Sequence, residues 1–410
     1  MPSPDALSGA VAEFSRGNLE EAHRICERVL ARDGRDPQAL QLAAAIALRM
    51  GRVEAALARA NAAVENAPTL ATAYQTRGQV LRQQRHNAEA ERDFLRACEL
   101  DPGFADAHAS LGALRVAMGE HGEARSHLEQ AVAARPAAAE WRYNLALCDM
   151  ADERWDEAAR QLEDVVKRRP QWAEALNARG GVLLHLGRIE EAETALESAV
   201  LAAPDRPQGW SNLGLAQLAL GRTQRAVASL ERCVALAPTD TKGWTHLGNA
   251  LRARGDRQGA ERAYRKGLEH GPTEPAVRQN LGNLLREAGR LDEAIALLES
   301  GLAKSPTPEL HFSLAIALLA AGRIERGWGE YGWRLGTMPA PLEPTRKALA
   351  SGELVELRGE QGLGDMLFFL RWAGAAPAGA RFAWRGDERL APLLEDTCIQ
   401  AGAGPAAASL

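Results

Sequence analysis

The chain has 410 residues, enough for two or three ordinary domains or for one long repeat array. Its 46% hydrophobic and 25% charged residues exclude an intrinsically disordered protein. A net charge of -5 argues against a nucleic-acid surface, which needs a basic stripe to displace counterions from phosphates.

The N-terminus, MPSPDALSGAVAEFSRGN, lacks the basic segment and long apolar core of a signal peptide. The longest largely apolar run, Phe312–Ala321, is too short to span a bilayer, so no membrane insertion is expected. The five cysteines, Cys26, Cys98, Cys148, Cys233 and Cys398, form no CxxC pair and are odd in number. They read as free, buried thiols in a reducing compartment. The histidines show no HExxH or other ligand spacing, so neither a metal nor another cofactor is expected. A cytoplasmic protein follows from these readings.

From the N-terminus onward the chain repeats. Alanine recurs every 34 residues from Ala22 through Ala56, Ala90 and Ala124 to Ala294, and proline likewise from Pro68 through Pro102 and Pro136 to Pro306. Glycine joins the same register at Gly78, Gly112, Gly180, Gly214, Gly248 and Gly282. In the unit 207–240, Trp210, Leu213, Leu218 and Leu220 share one broad face at helical spacing, which predicts a first helix. Gly221 is expected to end it as a left-handed cap. A second helix is predicted from about Thr223 to Leu236, with Ala226, Leu230 and Cys233 inward and Pro238 just past its end. Gly214 and Ala226 are small because the two helices approach closely there. Trp210 and Trp244 stand at a core register and read as packing residues.

The pattern W-x2-L-G, then a small alanine, then proline resembles the tetratricopeptide repeat over residues 1 to about 334. The fold so implied is all-α: a right-handed superhelix of about nine helix pairs whose first helices line a concave groove. Departures are Gln217 where the family often has tyrosine, Glu153 at the inter-helix glycine, and Ala146 at the first-helix glycine. The first repeat reads as carrying three extra residues near Asp33–Asp36, with the next first helix shortened to match.

The resemblance implies a protein or peptide ligand held extended in the groove. Two places before the small glycine stand Asn144, Asn212 and Asn280, with His246 in the repeat between the last two; one place after it stand Asn249 and Asn283. An amide side chain offers a donor and an acceptor together, so it can pair with one peptide unit of any sequence. Similar asparagine ladders line the groove of the repeat region in O-linked N-acetylglucosamine transferases. The other reading is that these asparagines tie adjacent helices together. Arg82, Arg252 and Arg286 share another register, either as clamps for acidic groups or as a solvated face.

The periodicity breaks after Gly322. GRIERGWGEYGWRLG has Gly327 where alanine is expected, followed by Trp328, Tyr331 and Trp333, and reads as a capping helix whose aromatics cover the last repeat. A linker with Pro339, Pro341 and Pro344 follows, spanning about 335–351. Over 352–396 the rhythm is strand, helix, strand: Leu354–Leu357, a turn with Gly359, Gly362 and Gly364, a helix from Asp365, a second strand at Arg381–Trp384, then a helix at Arg389–Leu394. Residues 397–410 read as a disordered tail.

The segment EQGLGD…FFLRWA resembles the first lobe of glycosyltransferase-like domains with two Rossmann-type lobes, which follow such repeats in many bacterial proteins. Its Gly364-Asp365 pair matches that of lipopolysaccharide heptosyltransferases, which implies Asp365 as a general base for an acceptor hydroxyl. A simple helix cap is the alternative. About 60 residues follow the linker, too few for a nucleotide-sugar lobe. The chain by itself is therefore expected to bind polypeptide and not to transfer sugar; the alternative is the targeting arm and incomplete acceptor lobe of a glycosyltransferase.

Overall fold

The computed structural model describes residues 4–335, 354–358, 381–385 and 399–401. The chain divides into two compact units, Met1–Pro272 and Thr273–Leu410. Twenty α-helices run through the described residues, and none is long and apolar enough to cross a membrane. The first unit holds eight helix pairs: α1 (Pro4–Arg16) with α2 (Leu19–Leu30), α3 (Pro37–Arg49) with α4 (Val53–Asn66), α5 (Ala71–Gln83) with α6 (Asn87–Leu100), α7 (Ala105–Met118) with α8 (His121–Ala134), α9 (Ala139–Ala151) with α10 (Trp155–Arg168), α11 (Ala173–His185) with α12 (Ile189–Ala202), α13 (Pro207–Ala219) with α14 (Thr223–Leu236), and α15 (Thr241–Ala253) with α16 (Arg257–His270). Within this unit each first helix packs on its own partner and, after α1, on the preceding second helix; α1, α3, α5, α7, α11 and α13 also pack on the next first helix. Core clusters accordingly straddle repeats. Leu183 of α11, Leu196 and Val200 of α12, and Leu213 and Ala216 of α13 form one of them, with Trp210 packed against it.

The turn inside each pair follows from one backbone demand. Gly221 has φ 71°; its N–H bonds to Leu218 O at 3.0 Å, and Arg222 N–H reaches Gln217 O at 2.8 Å. This left-handed closure of a helix end suits glycine, which has no Cβ to clash. Gly51, Gly119, Gly187, Gly255 and Gly289 repeat it, and Glu153 and Arg85 take the same conformation with φ 56° and 64°. The left-handed region costs an L-residue roughly 1–2 kcal/mol. Glu153 is exposed, so Glu153→Gly is expected to raise stability by about 1 kcal/mol, read as a higher denaturant midpoint. An unchanged midpoint would show that the strain is relieved elsewhere.

The small first-helix positions face a large side chain sixteen residues on. A Cβ built on Gly214 would lie 2.5 Å from Leu230 Cγ; Gly78 meets Phe94, Gly112 meets Leu128, Gly180 meets Leu196 and Gly248 meets Tyr264 in the same way. The close approach expected at Gly214 is thus specific: the glycine is the socket for one buried side chain. Gln217, at the tyrosine position, is buried and accepts a hydrogen bond from Ser229 Oγ at 2.8 Å. The first repeat corrects the sequence reading. The spacing from the start of α2 to the start of α3 equals that from α4 to α5, so nothing is inserted near Asp33–Asp36 and α3 keeps its full length. Instead α2 stops at Leu30, and Asp36 caps α3 by accepting from Gln38 N and Ala39 N.

In the second unit, α17 (Pro275–Glu287) pairs with α18 (Leu291–Leu302), and α19 (Pro308–Ala320) pairs with the short α20 (Ile324–Tyr331), which leads into a 3₁₀ turn at Gly332–Leu335. The described helices therefore make ten pairs, where nine and a cap were expected; the tenth has a truncated second helix whose Gly327 sits against Leu319. Its aromatics do pack on α19: Trp333 stacks on His311 at 4.4 Å between centroids, and Tyr331 meets Phe312 at 5.6 Å. Strands β1 (Leu354–Arg358), β2 (Arg381–Arg385) and β3 (Ile399–Ala401) pair in parallel in that order. The glycine-rich turn, Asp365 and the helices expected at 365 and 389 lie outside the described residues, as do Pro339, Pro341, Pro344 and Cys398.

Candidate functional site

The first helices carry the candidate groove residues, and what the structure settles is which of them already have partners. Between successive first helices runs a series of side-chain hydrogen bonds, each joining a residue to the one 35 positions later. Gln41 Nε2 donates to Thr76 Oγ1 at 2.7 Å and Gln75 Nε2 to Ser110 Oγ at 3.4 Å. Asn212 Nδ2 donates to Asn177 Oδ1 at 3.0 Å, and Ser211 Oγ and His246 Nδ1 lie 3.0 Å apart. Two of the candidates, Asn212 and His246, are thus rungs that tie one repeat to the next. Burial lowers the His246 pKa, which keeps the imidazole neutral in that role.

Asn249 accepts a hydrogen bond from Tyr264 Oη at 2.7 Å. Tyr264 is fully buried, and its hydroxyl needs an acceptor, which Asn249 supplies from the first helix of the same pair. Asn280 and Arg252 have partners as well.

Four candidates remain, two in each unit. Asn144 on α9 makes no side-chain hydrogen bond, because the residue 35 positions earlier is Ala109. The next rung is also open, since the residue 35 positions after Tyr143 is Ala178, which has no polar side chain. Arg82 on α5 has no carboxylate partner; it is exposed, yet the surrounding protein desolvates it enough to lower its pKa. In the second unit Asn283 and Arg286 stand three residues apart on α17, one face of one helix. Asn283 is half-buried without a side-chain hydrogen bond, and the Nε of Arg286 is buried without an acceptor. A buried donor left unmet costs roughly 1–3 kcal/mol, which an incoming acceptor would recover.

The tryptophans behave as packing residues with a second task. Trp210 Nε1 donates to Pro204 O at 2.9 Å and Trp244 Nε1 to Pro238 O at 2.8 Å. Arg142 and His108 reach Pro136 O and Pro102 O from the same position in their repeats. The periodic proline therefore ends a helix and also presents a carbonyl that the next first helix binds.

Sequence reading missed the other members of these rungs, Gln41 with Thr76, Gln75 with Ser110, and Asn177 and Ser211. The available signal was a polar spacing of 35 superposed on the period of 34. It also missed the grouping of Cys98, His108 and His127, whose ligand atoms lie within 4.8 Å of one another. Of the described cysteines, Cys26, Cys148 and Cys233 are buried and Cys98 is half-buried; all are free thiols. Burial pushes Cys26, Cys98 and Cys148 up to about 11.

Family models of the tetratricopeptide repeat match residues 13–77, 115–181 and 251–311, and further models of the same repeat match 186–241, 71–104 and 173–198. No match to a curated protein was found. Among solved structures the chain is similar to TTC0263, a thermophilic TPR protein of Thermus thermophilus, at 27% identity over 44% of this chain and 100% of that one, with a TM-score of 0.39. It is similar to YrrB, described as a TPR protein with an unusual peptide-binding site, at 24% identity over 45% of this chain and 95% of that one, with a TM-score of 0.40. A longer match is to the Cut9–Hcn1 APC/C hetero-tetramer, at 14% identity over 82% of this chain and 94% of that one, with a TM-score of 0.44. Models of a single repeat type, in step with the helix pairs between residues 13 and 311, show that this chain belongs to the tetratricopeptide repeat family.

Proposed function

We propose that this protein is an interaction scaffold whose first helices hold extended polypeptide, with Arg82 and Asn144 as the contacts offered by the first unit and Asn283 and Arg286 as a separate set offered by the second. The carrying observation is the contrast within one register: Asn212 is consumed by Asn177, whereas Asn144 has no partner and keeps an amide donor and acceptor for a ligand's main chain. The two arginines bias the choice toward acidic sequences. Asn212, His246 and Asn249 serve as the frame that holds the face in shape.

The test is to capture a binder with the full chain, map the bound segment, and titrate it against variants. Asn144→Ala with Asn283→Ala is expected to weaken binding about five- to a hundredfold, from about 0.5–1.5 kcal/mol per lost contact, with the melting curve unchanged. Arg82→Gln is expected to reduce the salt dependence of binding. Asn212→Ala, by contrast, is expected to lower thermal stability. Equal affinity of the double variant and the parent protein would move recognition off the first helices.

A further inference from the structure

Three side chains from three helices converge where the third repeat meets the fourth. Cys98 lies near the end of α6, His108 in the first turns of α7, and His127 in the middle of α8. A short loop brings α6 and α7 together; within it Gly103 N–H donates to Asp101 Oδ1 at 3.0 Å. His108 is buried, while Cys98 and His127 are half-buried, so the group has one dry side and one side open to water. Cys98 also packs against the apolar cluster of Phe94, Leu111 and Leu114, which fixes its position.

The hydrogen bonds determine which nitrogens carry protons. His108 Nε2 lies 3.0 Å from Pro102 O, a carbonyl that only accepts, so Nε2 bears the proton. His108 Nδ1 therefore presents a lone pair. His127 Nδ1 lies 2.8 Å from it and donates to it. A histidine whose one ring N–H is held by a backbone carbonyl, with the other nitrogen aimed at a thiol and a second imidazole, has the arrangement of a metal-binding histidine with its supporting outer contact.

We propose that Cys98, His108 and His127 form a binding site for a borderline-soft divalent transition-metal ion such as Zn²⁺, with the fourth coordination position taken by water. A thiolate with two imidazoles favours such an ion over Mg²⁺ or Ca²⁺, which prefer oxygen ligands. Tetrahedral coordination at about 2.0 Å to nitrogen and 2.3 Å to sulfur sets the two nitrogens about 3.3 Å apart. From 2.8 Å the imidazoles need to part by about 0.5 Å. On binding, the Cys98 thiol loses its proton to water, and His127 exchanges its Nδ1 proton for one on Nε2, so both ligand atoms become donors of electron pairs. Arg115, whose charge acts on His127, is engaged by Glu91 at 2.9 Å and Glu123 at 3.5 Å, which offsets its repulsion of an incoming metal ion. A metal held here would pin α6, α7 and α8 together across a repeat boundary.

The test uses the full chain, tag-free and stripped with a chelator, titrated with Co²⁺ as the spectroscopic probe and then with Zn²⁺ in competition. The expected result is one equivalent of Co²⁺ with a thiolate-to-metal charge-transfer band, displaced by Zn²⁺ and accompanied by a rise in melting temperature. Cys98→Ser is expected to abolish the band and His127→Gln to weaken binding at least tenfold, while Cys26→Ser, in the first repeat, leaves both unchanged. Cys98→Ser and His127→Gln alter half-buried groups and leave buried His108 in place; far-UV circular dichroism checks that each still folds. The proposal is overturned by absence of the charge-transfer band in the parent protein, or by equal Co²⁺ binding in the Cys98 and His127 variants.

Discussion

Replacing Arg125 with methionine is expected to cost about 3 kcal/mol and to open the junction between the fourth and fifth repeats. Arg125 on α8 donates to Asp149 Oδ1 at 2.6 Å and to Asp152 Oδ2 at 2.6 Å across that junction. Asp149 is only 2% exposed, so removing the guanidinium strands a carboxylate that water cannot reach. Arg154 lies 3.8 Å from the same carboxylate and limits the loss to the low end of the range for a broken buried pair. In a repeat array each unit leans on its neighbours, so the damage is expected to be local. Hydrogen exchange should rise in α8 and α9 before it rises in α3 or α15. Pairing Arg125→Met with Asp149→Leu is expected to recover most of the stability, because a matched apolar pair removes the stranded charge. A single variant that melts like the parent would show that Asp149 finds another partner on relaxation.

Gly214→Leu is expected to cost about 2–3 kcal/mol, the range for an overpacked core. The Cβ position is already occupied by Leu230, a fully buried side chain on the partner helix. Ala226→Leu should act similarly from the facing helix, since Ala226 is fully buried too. The informative variant is the exchange of volumes. Gly214→Ala combined with Leu230→Ala is expected to cost less than the sum of the two single changes, because the second empties the socket that the first fills. The second repeat carries alanine at both of these positions, Ala44 and Ala60, each fully buried. Additive costs in a denaturant series would show that the helices separate instead of interlocking.

Much of this fold was legible because its determinants are local and repeated. A glycine that closes a helix in the left-handed conformation, and a proline that cannot extend one, act within a few residues, so their 34-residue spacing marks the pairs directly. Gly221 has the expected conformation with φ 71°, and Glu153 adopts it despite carrying a Cβ. The tenth pair was less legible because α20 is short and Gly327 replaces the marker alanine. The role of Asn249 was not legible either, because it is decided by the hydroxyl of Tyr264 on the facing helix.

The candidate contacts divide along the same line. Sequence by itself determined the register in which the first helices present Asn144, Asn212, Arg82 and Arg286, since helical period and repeat length suffice for that. It did not determine which of them are available. Asn144 and Asn212 occupy equivalent places and have the same chemistry, but only Asn212 meets a partner, Asn177, on the preceding first helix. The residue 35 positions before Asn144 is Ala109, which offers no acceptor, and Asn144 stays open. A side chain's availability depends on the residue packed against it from another helix, and tertiary structure alone chooses that neighbour. The same packing brings Cys98, His108 and His127 within 4.8 Å from positions with no ligand spacing in the chain.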